Sequence, residues 1–153
     1  MNDILHLRPE SLPPKHKHAH PNYEYTRRDL LPRGSARCVV ALYEIPPGKA
    51  AYPYHYHAQN EECFYILSGS GILRTPEGER EVKAGEFLFF PAGERGAHKL
   101  TNTGDAGLVY LDYDAEHDID VAFYPDSGKI GVWGKGINQV YKTDDQVNYY
   151  EGE

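Results

Sequence analysis

Between residues 36 and 113 the chain is a succession of short β-rich runs, each cut off by glycine or proline. That rhythm constrains the fold more than any other feature. Residues 36–45 carry Val39, Val40, Leu42 and Tyr43 and stop at Pro46-Pro47-Gly48. Residues 62–67 end at Ser68-Gly69-Ser70-Gly71, and residues 72–75 end at Pro76-Glu77-Gly78-Glu79. Further runs cover 80–83, 86–90, 96–101 and 107–113. No stretch shows the longer periodicity of a helix. Many short strands with glycine and proline turns predict an all-β double-stranded jelly roll. Residues 1–35, rich in proline, histidine and basic residues, read as an N-terminal arm. Residues 114–153 read as a polar, tyrosine-rich C-terminal extension packing on the barrel, with strand-like pieces at 121–124 and 129–133. The 153 residues suffice for one domain with one buried core.

Within the barrel stands the run His55-Tyr56-His57-Ala58-Gln59-Asn60-Glu61-Glu62. A strand sends alternate side chains to the same face, so His55 and His57 point together. A second block, Gly85 to Gly93, is followed by His98 and Asn102. Two imidazoles and a carboxylate, joined by a third imidazole from a later strand, make a compact nitrogen and oxygen ligand set. Such a set suits zinc, manganese, iron, nickel or copper. One histidine in a strand is ordinarily a polar surface or core residue. Four candidate ligands in this order are not.

These residues are where the chain resembles the cupin superfamily. The first motif of that family is filled by Gly48, His55, His57, Glu62 and Gly69, with Glu62 rather than Glu61 at the right spacing to Gly69. The second is filled by Gly85, Pro91, Gly93, His98 and Asn102. Two spacings depart from the pattern. Six residues rather than five separate Gly48 from His55, and four rather than two separate Gly93 from His98. Both fall in turns, where insertions are tolerated. The resemblance covers roughly residues 36 to 113. It implies a cupin barrel holding a divalent metal on His55, His57, Glu62 and His98. About two positions would stay open in a six-coordinate ion. The extension also resembles that of small bacterial cupins called sugar-phosphate-isomerase-like, though fold does not fix function.

Strand alternation yields further expectations. With His55 and His57 inward, Tyr52, Tyr54 and Tyr56 face outward together, an aromatic patch fit for an interface or for cover by the chain's own ends. A homodimer is the expected assembly. Phe64 and Ile66 join Glu62 inside, with Leu100 and either Phe87 or Phe89, to line an apolar lumen for a small ligand. Cys63 points away from the metal. Tyr110, Arg74 and Glu86 are candidates for a general base.

The remaining features exclude more than they assign. A net charge of −7 argues against a nucleic-acid surface, and no helix-turn-helix precedes the barrel. No apolar run approaches the ~18 residues that span a bilayer, and no apolar leader opens the chain, so a cytoplasmic protein is expected. Cys38 and Cys63 form neither a disulfide framework nor a metal pair, and read as small buried residues. The alternating His16, His18 and His20 lack a nearby acidic residue and read as a solvated basic arm. The segment 124–129 lacks phosphate-loop spacing and reads as a tight turn. Two function classes fit. One is an enzyme, an isomerase, decarboxylase or dioxygenase acting on a sugar derivative or a keto or hydroxy acid. The other is a non-catalytic small-ligand-binding module.

Overall fold

The computed structural model describes residues 4–153, apart from the Ala19 side chain. Residues 1–3, where the expected arm begins, lie outside the described residues. The described chain is built of strands, with only three short 3-10 turns. The strands are β1 (Lys15–His20), β2 (Tyr23–Leu31), β3 (Cys38–Ile45), β4 (Tyr56–His57), β5 (Glu62–Ser68), β6 (Ser70–Thr75), β7 (Gly78–Lys83) and β8 (Phe87–Phe90). They continue as β9 (Lys99–Thr101), β10 (Leu108–Ala115), β11 (Ile119–Tyr124), β12 (Lys129–Gly134) and β13 (Ile137–Lys142).

One wall is a six-stranded sheet in the order β1-β2-β3-β10-β5-β8. The facing wall comes in two pieces, β13-β12-β11-β4 and β7-β6-β9. A bridge between His55 and His98 joins them. The two walls close a double-stranded β-helix, as the turn rhythm predicts. Alternation fills the interior. Ala41, Tyr43 and Ile45 of β3, Leu108 and Tyr110 of β10, and Phe64 and Ile66 of β5 form the buried core. The motif glycines serve the turns. Gly69 adopts φ +83°, and a Cβ there would lie 2.6 Å from the Gly107 carbonyl oxygen. Only glycine fits both demands.

Asn102 is a clasp. It is fully buried, and its Nδ2 donates to the carbonyls of Ile45 and Ala106, each at 2.8 Å. Its Oδ1 accepts from the Gly104 N–H at 2.9 Å. It therefore ties the end of β3 to the turn entering β10.

The sequence-based expectations need five corrections. Residues 15–31 are not an extended lead-in: β1 and β2 form an antiparallel hairpin that pairs with β3 and widens the main sheet. His16 and His18 do meet an acidic residue, lying 3.6 and 3.8 Å from Glu24 on β2. Tyr52, Tyr54 and Tyr56 do not share an outward face. Tyr52 packs on the core and Tyr54 is buried under the Arg74 guanidinium, 4.0 Å above its ring. Tyr56 stacks on Phe123 at 4.8 Å. Phe87 and Phe89 point to solvent, while Phe90 pairs opposite Glu62 and faces inward. Cys38 and Cys63 are half-buried rather than buried. The extension is integral to the barrel, since β11 pairs with β4. The segment between β11 and β12 is a 3-10 turn over Pro125–Ser127, capped by Gly128 in the left-handed region.

Candidate metal centre

His55 and His98 are placed by backbone pairing. The His55 N–H donates to the His98 carbonyl at 3.1 Å, and the His98 N–H returns to the His55 carbonyl at 2.9 Å. The turn before His98 is shaped by Gly96, where a Cβ would fall 1.8 Å from the Pro91 carbonyl oxygen. Glu62 opens β5 and points inward from the opposite wall. The ligating atoms of His55, Glu62 and His98 all lie within 4.8 Å of one another, and all three residues are buried. His57 stands just outside that set, its ring centroid 5.2 Å from that of His55. It is the most accessible of the four candidate ligands.

The tautomers are set by the surroundings. His55 Nδ1 lies 2.9 Å from the Pro53 carbonyl, and His98 Nδ1 lies 2.9 Å from the Gly96 carbonyl. A carbonyl oxygen only accepts, so each Nδ1 carries the proton and donates it. His57 Nδ1 donates in the same way to the Asp120 carboxylate at 2.5 Å. In the neutral form of each ring Nε2 then keeps its lone pair, which is the state a metal requires. Ligating histidines usually anchor their second nitrogen on a carbonyl or carboxylate in this manner.

Asp120 was not apparent from sequence. It sits on β11, fully buried, and also accepts from the backbone N–H groups of Gln59 and Asn60. Burial alone would raise its carboxyl. The His57 hydrogen bond and these N–H groups outweigh that and hold it below the usual carboxylate range. Burial would lower the His57 imidazole, but Asp120 and Glu62 raise it overall.

A cation fits the donor atoms. His98 Nε2 and Glu62 Oε2 face each other at 3.0 Å. Both are sealed from water, and neither has a hydrogen-bond partner among the described residues. The two atoms are costly to bury together unless a metal ion or a proton on His98 Nε2 lies between them. Ligand atoms at right angles about one ion, each ~2.1 Å from it, would be about 3.0 Å apart. Burial brings His55 down to about 3, so it is neutral and ready to ligate. Against burial, His98 and the other two histidines draw Glu62 down to about 2. An ionised Glu62 and a neutral His55 match the protonation states of a loaded site.

A row of carboxyls continues from Glu62. Asp112 and Asp114, inward on β10, have carboxyl oxygens within 4.8 Å of that of Glu62. Burial and the Glu62 charge push Asp112 well above the usual range and bring Asp114 to about 7.

The aromatic wall is close to the site. Phe90 stacks on the His98 ring at 3.7 Å, Phe64 meets it edge-on at 5.4 Å, and Tyr124 stacks on His55 at 5.8 Å. The space beside His55, Phe64 and Tyr110 is only about 10 Å³. A substrate must therefore approach from the His57 side. Of the general-base candidates, Tyr110 is sealed in the core, Arg74 is on the surface paired with Asp126, and Glu86 caps the turn at Lys83. Arg74 and Glu86 lie away from the centre. The outward parity of Cys63 agrees with expectation, since Cys63 pairs with Tyr113 and Phe89.

Residues 41–114 match the family model described as the cupin domain. The chain is 34% identical over 73 residues to an oxalate-binding protein of Thermotoga maritima, covering 48% of this chain and 58% of that one. It spans about half the length of the curated relatives it matches. A crystal structure of a candidate sugar phosphate isomerase from Acidithiobacillus ferrooxidans superposes with a TM-score of 0.80 at 28% identity, covering 93% of this chain and 92% of that one. A cupin-superfamily sugar phosphate isomerase from Silicibacter pomeroyi superposes with a TM-score of 0.82 at 21% identity, covering 92% and 94%, a likeness of fold. Shared core sequence and shared whole-chain architecture together make this chain a member of the cupin superfamily.

Proposed function

We propose that the chain binds a divalent transition ion on His55, His57, Glu62 and His98, and acts there on a small oxygenated molecule such as a sugar derivative or a keto or hydroxy acid. One observation carries the reading: His55 and His98, each anchored through Nδ1, share a buried cluster with the Glu62 carboxylate, and His57, anchored on Asp120, stands beside them. When bound, such an ion would polarise a carbonyl or enediol, or activate dioxygen. The chain's own residues would do the rest. Phe64, Phe90 and Tyr124 offer an apolar wall to a carbon skeleton. Asp114, beside Glu62, offers a partly buried carboxyl that can hold or release a proton. An isomerase is favoured by the likeness to the Acidithiobacillus ferrooxidans protein. A second reading, a binding module without turnover, is favoured by the identity to the Thermotoga maritima oxalate-binding protein.

Co(II)-substituted protein tests both. Small oxyanions, keto acids and hydroxy-carbonyl sugars are expected to shift its visible absorption. An unchanged spectrum across such a panel would reject an open site. A shift without turnover would favour the binding module.

A homodimer remains part of the proposal, through a different surface from the tyrosines. Tyr65 and Leu67 of β5, Phe87 and Phe89 of β8, and Tyr113 of β10 are exposed on the outer face of the main sheet. These five side chains carry no formal charge in a chain of net charge −7, so this part of the face is where two copies can meet without repulsion. β8 is an edge strand, open to pairing across a twofold axis. Sedimentation should show a dimer at micromolar concentration, and Phe89→Asp a monomer. A wild-type monomer would reject it.

A further inference from the structure

The β1–β2 hairpin builds a cavity of about 510 Å³ that the metal centre does not use. Lys15, Lys17, Arg27 and Arg33 line it with a single carboxylate, Asp29. That is a concentration of positive charge in a chain whose net charge is −7. The strand register explains it. Lys15 pairs with Arg27 and Lys17 with Tyr25, so both lysines share the inward face of the sheet with those residues.

Arg27 is built into the wall rather than left on the surface. Its Nε donates to Asp29 at 2.5 Å and its Nη1 to the Tyr43 hydroxyl at 2.8 Å. Those two bonds fix the guanidinium plane and leave its remaining N–H donors for a ligand. Asp29 is itself shared with Lys15 at 2.5 Å. Among the described residues, no carboxylate lies within ion-pairing distance of Lys17. Packed rings, not open space, connect Arg27 with the metal centre. The Tyr43 hydroxyl is 2.9 Å from that of Tyr52, and the Tyr52 ring lies 6.1 Å from the ring of His55.

We infer that this cavity binds the phosphate group of a small phosphorylated ligand. Two lysine and arginine charges beyond those that Asp29 and Glu116 balance suit a dianion better than a single carboxylate. A fixed guanidinium beside mobile ammonium groups is a common phosphate-binding set. The volume lies in the range of small-ligand sites, and the net charge of −7 disfavours an extended polyanion. The inference stands independently of the proposed function, because the buried Tyr43 ring and the packed Tyr52 lie between this cavity and the metal centre.

The probe is inorganic phosphate, followed by calorimetry at low ionic strength on metal-loaded and metal-stripped full-length protein. Saturable binding of one phosphate per chain is expected in both forms. Lys17→Gln should weaken it about tenfold, and Lys15→Gln with Lys17→Gln further. Arg27→Gln should abolish it. If that variant does not fold, the exposed lysine pair decides. Affinity unchanged in the double lysine variant overturns the inference, as does binding that does not saturate. Phosphate binding that disappears with the metal also overturns it, by placing the anion on the ion, and leaves the proposed function standing. Saturable phosphate binding with a Co(II) spectrum that answers to no ligand supports the cavity and rejects the proposed function instead.

Discussion

Asp120→Asn is expected to lower the affinity for a divalent transition ion by roughly 10–100-fold while leaving the protein folded. The side chains have the same shape. The asparagine Oδ1 can still accept from the N–H groups of Gln59 and Asn60, which Asp120 serves at 2.9 and 3.3 Å. The atom facing His57 then becomes an NH2 donor. His57 Nδ1 can no longer donate there, so its proton is better placed on Nε2, the atom needed for ligation. Chelator competition on wild type and variant measures the change. An affinity within about twofold of wild type would show that Asp120 does not set the His57 tautomer.

The second large effect is on stability. Asn102→Ala removes both donors from the Ile45 and Ala106 carbonyls and the acceptor from the Gly104 N–H, in a fully buried site. Three buried hydrogen bonds at about 1 kcal/mol each suggest a loss of about 3 kcal/mol in urea unfolding. A loss below about 1 kcal/mol would mean that water replaces the amide. Metal affinity should change less than in Asp120→Asn, because Asn102 touches none of the four candidate ligands.

The barrel and the order of its candidate ligands were legible because both are local. Alternation and turn residues act over a few positions, and the two glycine-framed blocks are each a short run. Asp120 was not legible, because the pairing of β11 with β4 is a long-range contact that no local pattern announces. The tyrosine parity failed at a definite place. Residues 51–54 are bends around Pro53 rather than a strand, so alternation does not carry back from His57 to Tyr54 and Tyr52. The choice between Phe87 or Phe89 and Phe90 depended on register, which the pairing of Glu62 with Phe90 fixes only in three dimensions. The hairpin of β1 and β2 escaped notice for another reason. Its inward face, Lys15, Lys17, Arg27 and Asp29, lines a wet cavity, so it lacks the apolar alternation by which strands are recognised.

The most direct measurement is the metal content of untagged protein, in wild type, His57→Ala and Cys63→Ala. The account predicts close to one divalent transition ion per chain in wild type, loss of most of it in His57→Ala, and retention in Cys63→Ala, whose side chain faces away from Glu62. Full metal in His57→Ala, or a wild-type protein that takes up no ion, would contradict it.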